Sequence, residues 1–368
     1  MMSGASSGRW QSCFQAERMG AMEPMHYYGR MDSAGFVVDR LPRAALYAAI
    51  DLGTHNCRML VARPDRTQVF RVIRSFSRAV RLGEGLAASG TLAEAAIERA
   101  IGALKTCADS LQKAKPRRIR SIATEPCRRA GNAAAFVRRV ASETGLALES
   151  VTAADEAGLT LAGCRPLLDP RFPRVLLFDI GGGSTEVSWI EQRRGMPARI
   201  LGFRSLPYGV VSFAEEYGGD RMSQHGYRAI VASVDALLAP LEAQHGISRE
   251  IAAGRVQMIG TSGTVTTLGA TYLQLKRYER TRVDGLVIGF DDIAAISAAL
   301  SVTDWAARAA NPCIGPDRAD LVVAGCAILE AVCRRWPVGR LRIADRGIRE
   351  GLLMEMMAAD RAVPTQTP

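Results

Sequence analysis

The sequence predicts an α/β protein of two similar lobes that face a central cleft. An apolar strand that ends in aspartate and runs into a glycine turn occurs twice, at Ala45–Asp51 and Arg174–Asp179. In both places a second strand follows the turn directly, so each half opens on an antiparallel hairpin and not on a strand–helix–strand crossover. The 368 residues also exceed the roughly 250–300 at which a single hydrophobic core stops growing.

Taken in order, Ala45–Asp51, Cys57–Ala62 and Gln68–Phe76 read as three strands, the last rich in β-branched and aromatic residues. Leu92–Lys113 has helical spacing, with Leu92, Ala96, Ala100, Leu104, Ala108 and Leu111 on one face. Ile119–Thr124 is a short strand, Gly131–Thr144 a helix, Ala147–Thr152 a strand and Ala154–Cys164 a helix. The second half repeats the opening: Arg174–Asp179, then Thr185–Ile190 alternating with period two, then Ile200–Tyr208. Helix Arg228–Ala243, strand Arg255–Gly260 and helices Thr264–Leu275, Ile293–Leu300 and Ala319–Trp336 follow. Strand Leu341–Ala344 and helix Ile348–Met357 close the chain. Lobe I is thus 45–150, with the closing helix, about 346–358, packing back on it, and lobe II is 151–345. Residues 1–44 lack a sustained apolar period and are expected to form a disordered extension, and 359–368 a loose tail.

Composition narrows the function classes. No stretch approaches the roughly 18 apolar residues that span a membrane, and no apolar signal-peptide core is present. The eight cysteines form no C-x-x-C pair and sit in apolar patterns, as reduced thiols packed like small hydrophobes do. A soluble cytoplasmic protein is expected, with no membrane partner. The four histidines lack the helical pairing of a zinc site. A net charge of +10 suits an anionic partner. Nearly all of it is arginine in an alanine-rich chain, which a GC-rich coding bias explains equally. The basic run Lys113–Arg120 reads as a solvated linker. With no recognition motif and no interleaved aromatics, no specific nucleic acid is expected.

The chemistry concentrates at Phe178-Asp-Ile-Gly-Gly-Gly-Ser-Thr-Glu186. Three successive glycines cost entropy in any regular element and are kept where backbone approaches something closely. The amides of Gly181, Gly182 and Gly183 can form an anion-binding nest, and Ser184 adds a hydroxyl. Asp179 and Glu186 flank the turn, where carboxylates can hold a divalent cation or its waters. A ligand-free hairpin would need only one or two glycines. Ile50-Asp-Leu-Gly-Thr-His-Asn-Cys-Arg58 is the weaker twin. Asp51 and Gly53 match, Thr54, His55 and Asn56 can donate to phosphate, and Arg58 adds charge, yet alone the segment equally suits a plain hairpin. The third turn, Thr261, Ser262, Gly263 and Thr264, joins strand to helix, where a helix N-terminus binds anions or is merely capped. Arg128, with Arg129 as the alternative, sits where an arginine can fork onto phosphate or lie in solvent. Glu156 opens a helix, where an acid commonly does no more than complement the dipole.

Together these segments resemble the exopolyphosphatase / guanosine pentaphosphate phosphatase family, from about Tyr47 to Met357. The resemblance rests on Ile50-Asp-Leu-Gly-Thr54, Ala123-Thr-Glu-Pro-Cys-Arg128, Asp155-Glu-Ala157, Asp179-Ile-Gly-Gly-Gly-Ser-Thr-Glu186, Gly260-Thr-Ser-Gly-Thr264 and Ala344-Asp-Arg-Gly-Ile-Arg-Glu-Gly351. It implies two RNase H-like lobes of the actin/Hsp70/sugar-kinase superfamily. It implies Glu156 as the catalytic acid that activates water, and Asp179 and Glu186, with Asp51, as organisers of Mg²⁺ and that water. It further implies that the three turns and Arg128 hold phosphates. Two departures stand out. His55 replaces the family's usual Asn after the first-turn hydroxyl, adding bulk and a group that titrates near neutral pH. The C-terminal helical module of long members is missing, so a short form is expected.

The expected activity is Mg²⁺-assisted release of terminal phosphate from inorganic polyphosphate or guanosine pentaphosphate. The expected partners are that polyanionic phosphate substrate and, as an assembly, a homodimer. A small-molecule kinase of the same superfamily and a non-catalytic polyphosphate- or nucleotide-binding regulator are the alternatives.

Overall fold

The computed structural model describes residues 45–65 and 69–362. The extension expected at 1–44 and residues 363–368 of the expected tail lie outside them.

Lobe I runs β1 (Tyr47–Leu52), β2 (Asn56–Pro64), β3 (Phe70–Ala79), α1 (Leu86–Ser89), α2 (Glu94–Ala114), β4 (Arg118–Ala123), α3 (Glu125–Arg129), α4 (Ala133–Thr144) and β5 (Leu148–Ser150). Helix α5 (Ala153–Cys164) leads to lobe II. That lobe comprises β6 (Arg174–Ile180), β7 (Thr185–Glu191), β8 (Arg199–Leu206), α6 (Val210–Tyr217), α7 (Gln224–His245), α8 (Ile247–Ala252), β9 (Val256–Thr261) and α9 (Ser262–Tyr272). It continues through α10 (Arg280–Val283), β10 (Val287–Gly289), α11 (Phe290–Val302), α12 (Trp305–Ala310), α13 (Val322–Arg335) and β11 (Arg340–Ala344). Helix α14 (Ile348–Ala362) is the last described element.

The sheets share one plan. Lobe I has the order β3-β2-β1-β4-β5 and lobe II β8-β7-β6-β9-β11-β10. In each, the first strand pairs antiparallel with its hairpin partner and parallel with the strand that follows a helix. Period-two alternation then distributes the side chains. Ala48, Ile50 and Leu52 face the cluster containing α2 and α4, while Tyr47 and Ala49 face Leu352, Leu353 and Met356 of α14. In β6, Leu176, Phe178 and Ile180 face the large core with α7, α9 and α13, while Val175 and Leu177 face Leu161 and Cys164 of α5. The same alternation carries Asp51 and Asp179 to the side of α14 and α5.

Those two helices cross between the lobes in backbone contact. A Cβ on Gly163 of α5 would lie 2.0 Å from the Gly347 carbonyl oxygen, and one on Gly351 of α14 would lie 2.1 Å from that of Leu159. Glycine inside a helix costs roughly 1 kcal/mol against alanine, and here close approach demands it. Helix α14 packs on lobe I through Leu352, Leu353 and Met356 and runs to Ala362, past the 358 read from the sequence. Asp360 is buried, accepts from Tyr47 Oη at 2.8 Å and pairs with Arg117 at 2.8 Å and Arg118 at 2.5 Å.

Candidate active site

The two hairpin turns are built alike. Gly53 N–H donates to the Asn56 carbonyl at 2.9 Å, and Gly181 N–H donates to the Ser184 carbonyl at 3.0 Å. The Gly181 and Gly182 carbonyls accept from Val210 and Val211 at the start of α6, at 3.0 and 2.7 Å, which fastens the second turn. Among the described residues, the amides of Thr54, His55, Gly182 and Gly183 donate to no other backbone group.

The reason for the glycines differs from the expected nest. Neither Gly182 nor Gly183 adopts a left-handed φ. Instead the turns of the two lobes meet. A Cβ on Gly182 would lie 2.8 Å from Thr54 Cβ, and one on Gly183 would lie 2.1 Å from Glu125 Oε2. Buried Glu125 joins them: it accepts from Thr54 Oγ1 at 3.2 Å and from Arg129 Nη1 at 2.7 Å. Arg129 is therefore spent on Glu125.

Equivalent ladder positions carry opposite chemistry. Asp51 stands across from Arg58, whereas Asp179 stands across from Glu186. Burial raises the pKa of Asp51, and the Arg58 and Arg349 guanidinium groups oppose that rise. Burial also raises Asp179, with the Ser262 hydroxyl opposing it, and Asp179 Oδ1 is buried without a hydrogen-bond partner. Glu186 accepts from Ser205 Oγ at 2.8 Å, and burial followed by repulsion from Asp179 pushes it up to about 7. Glu156, buried at the start of α5, is pushed up to about 8 by burial and then by Glu186. Arg128 acts in the opposite direction: it pairs with Glu156 Oε1 and donates to the Val151 carbonyl at 2.9 Å. The capping box of α5, Thr152 with Asp155, fixes the turn that carries Glu156.

The cleft is a solvent-open cavity of about 120 Å³. Asp51, Gly53, Thr54, His55, Asn56, Arg58, Glu156, Asp179, Gly181, Gly182, Gly183, Ser184, Glu186, Ser262, Gly263 and Thr264 all line it. Arg128 and Thr261 do not. Arg128 stands behind Glu156, and the Thr261 hydroxyl donates to the Arg346 carbonyl at 2.6 Å. Helix α9 presents its first turn to the cleft, and Ser262 there has φ 79, a left-handed conformation that is costly for a residue with a Cβ. His55 does not titrate near neutral pH as the sequence suggested. Burial and then the Arg81 and Arg318 charges lower it to about 4, so the imidazole is neutral, and its Nε2 is buried without a partner.

Sequence reasoning missed Arg318, Thr267 and Thr124, which also line the cleft. Arg318 donates to Thr267 Oγ1 at 3.3 Å. No local pattern distinguishes it, because it sits on a turn before α13 and reaches the cleft only through tertiary packing. Glu125 could have been found, since a buried acid in a strand-end motif asks for a partner.

Among the described residues, no group of three or more His, Cys, Asp or Glu side chains is gathered as a metal cage. The partnerless Asp179 oxygen beside Glu186 nevertheless fits a hard cation that keeps several waters and shares its coordination with a substrate phosphate.

Two lobes of one sheet plan, with helices α5 and α14 crossing between them and paired glycine turns meeting at a cleft, have the fold of the actin/Hsp70/sugar-kinase superfamily. The sequence matches the Ppx/GppA phosphatase family over residues 60–360, and the chain belongs to that family. It is accordingly a hydrolase acting on phosphoanhydride bonds. The fold is similar to that of an exopolyphosphatase from Cytophaga hutchinsonii, with TM-score 0.77 and 23% identity over 85% of this chain and 98% of that one. It is also similar to the Aquifex aeolicus Ppx/GppA family member, with TM-score 0.67 and 26% identity over 87% and 99% of the two chains. An exopolyphosphatase-like protein matches with TM-score 0.75 and 26% identity over 86% and 99%. Among the described residues, no helix is long and apolar enough to cross a membrane.

Proposed function

We propose that the cleft releases terminal phosphate from inorganic polyphosphate or guanosine pentaphosphate, in the cytoplasm, with Glu156 as general base. The observation that carries this reading is Glu156 itself, a buried carboxyl at the cleft wall poised near pH 8 and fixed by Arg128. A base works best when its pKa lies near the operating pH. The amides of Thr54, His55, Gly182 and Gly183, which donate to no backbone group among the described residues, and the first turn of α9 receive the phosphates. Arg58 and Arg318 place guanidinium groups on the same cleft. Glu156 orients a water toward the terminal phosphorus and takes its proton. The new P–O bond forms in line as the bridging P–O bond breaks and the shortened chain leaves. Positioning and electrostatics supply most of the acceleration.

Asp179 and Glu186, with Asp51 nearby, would hold Mg²⁺ through its waters, and the ion would supply neutralising charge to the phosphates. Asp51 already faces Arg58 and Arg349, so Asp179 and Glu186 have the greater need of a cation.

The test is phosphate release from polyphosphate and from guanosine pentaphosphate, with Mg²⁺ and with excess chelator. Release from at least one substrate, lost on chelation, is expected. Transfer of phosphate from ATP to a sugar or carboxylate acceptor, with no release to water, would overturn the reading.

A further inference from the structure

Among the described residues, strand β3 forms the free edge of the lobe I sheet. It includes Arg71, Arg74 and Arg78 and no acidic residue. The ladder places Arg78 opposite Cys57, Arg74 opposite Val61 and Arg71 opposite Arg63. Cys57 and Val61 face the α2 side of the sheet, and Arg63 follows them at the same period. The bulge between Val61 and Ala62 absorbs Ile73 and so keeps Arg71 in phase with Arg74. Four guanidinium groups therefore start from one face of the hairpin, over a strip of roughly 20 Å at the usual strand rise.

Arg71, Arg74 and Arg78 are exposed and Arg63 is half-buried. Among the described residues none of the four forms an ion pair. Arg78 lies over the Phe76 ring at 5.2 Å and donates to the Gly102 carbonyl at 3.5 Å, which orients it without neutralising it. Arg63 and Arg71 stand directly opposite one another, and like charges so placed destabilise a ladder. Charges on an edge strand do discourage unwanted pairing, but that purpose does not require them to lie in phase on one face. Four of one sign in phase, two of them opposed, call for an extended anion.

The strip leads to the cleft. Ala79 pairs with Asn56 of the first turn, and the N–H groups of Val80 and Arg81 donate to the His55 carbonyl at 2.8 and 2.9 Å. We propose that this strip holds the distal part of an inorganic polyphosphate chain whose terminal residue occupies the cleft. The inference rests on the phosphoanhydride hydrolysis proposed above. Phosphate repeats match a row of guanidinium groups, each able to fork onto phosphate oxygens. A single-stranded nucleic acid fits less well, because the strip's aromatic ring, Phe76, is covered by Arg78 and leaves no open face for stacking bases.

The test compares wild type with Arg71→Gln/Arg74→Gln and Arg71→Glu/Arg74→Glu in full-length protein, on long-chain polyphosphate and on tripolyphosphate, across a range of salt. For long chains, KM is expected to rise about tenfold in the glutamine variant and further in the glutamate variant, and the slope of log KM against log salt to fall by roughly 1.4, about 0.7 for each lost contact. Tripolyphosphate kinetics are expected to match wild type. No change on long chains, or an equal change on both substrates, overturns the proposal, as does displacement of labelled long-chain polyphosphate by single-stranded RNA at lower concentration than by unlabelled polyphosphate. If wild type releases phosphate from neither substrate, the hydrolytic reading fails instead. The strip is then judged by direct binding of labelled long-chain polyphosphate, which the variants should weaken and which, if they leave it unaltered, refutes the strip.

Discussion

Replacing Glu156 by glutamine should make the protein more stable at alkaline pH while removing its base. The native state holds the Glu156 carboxyl from 4.5 up to about 8, chiefly by burial and then by Glu186. Between those values the native state keeps a proton that the unfolded chain has released, so stability falls as pH rises through the interval. At about 1.4 kcal/mol for each pH unit, the full cost above pH 8 is at most about 5 kcal/mol. Glutamine carries no charge and escapes that cost, but it replaces the carboxyl oxygen to which Arg128 Nη1 donates. We therefore expect Glu156→Gln to be no more stable than wild type at pH 5, and about 2–4 kcal/mol more stable at pH 8.5. Urea unfolding of both proteins at pH 5, 7 and 8.5 measures the difference. A difference that does not change with pH would refute the claim that Glu156 is held protonated by its surroundings.

Other outcomes follow from the same geometry. Arg128 lowers the pKa of Glu156, so Arg128→Ala should move the basic-going limb of the pH–rate profile to higher pH, and an unmoved limb would show that the pair does not set the base. Gly351→Ala should destabilise by about 1–3 kcal/mol in denaturant unfolding, because its methyl group would strike the Leu159 carbonyl and force α5 and α14 apart. A gain in stability would mean that the helices yield easily and that helix propensity decides the sign.

Much of this arrangement could be read from the sequence because its signals are local. Apolar runs ending in Asp51 and Asp179, each before glycine, predicted both hairpins, and their strand ends agree with the structure to within one or two residues. Glu156 and the turn at Ser262–Thr264 also reach the cleft. What was not legible depends on contact between distant segments. Gly182 and Gly183 looked like a nest, but their lack of a Cβ is required by Thr54 and Glu125 of the other lobe. Arg128 read as a phosphate fork, yet it is engaged by Glu156, 28 residues further on. His55 was expected to titrate near neutrality, which only its burial beside Arg81 and Arg318 prevents. The short helices α3, α6, α8, α10 and α12 went unread because helices of so few residues are held by packing and not by their own propensity.

The most direct measurement is phosphate release from long-chain polyphosphate and from guanosine pentaphosphate by wild type and Glu156→Ala, with Mg²⁺ present and folding checked by circular dichroism. The account predicts that the substitution lowers kcat at least about a hundredfold, as loss of a general base does. Unchanged release by a folded Glu156→Ala protein would contradict it.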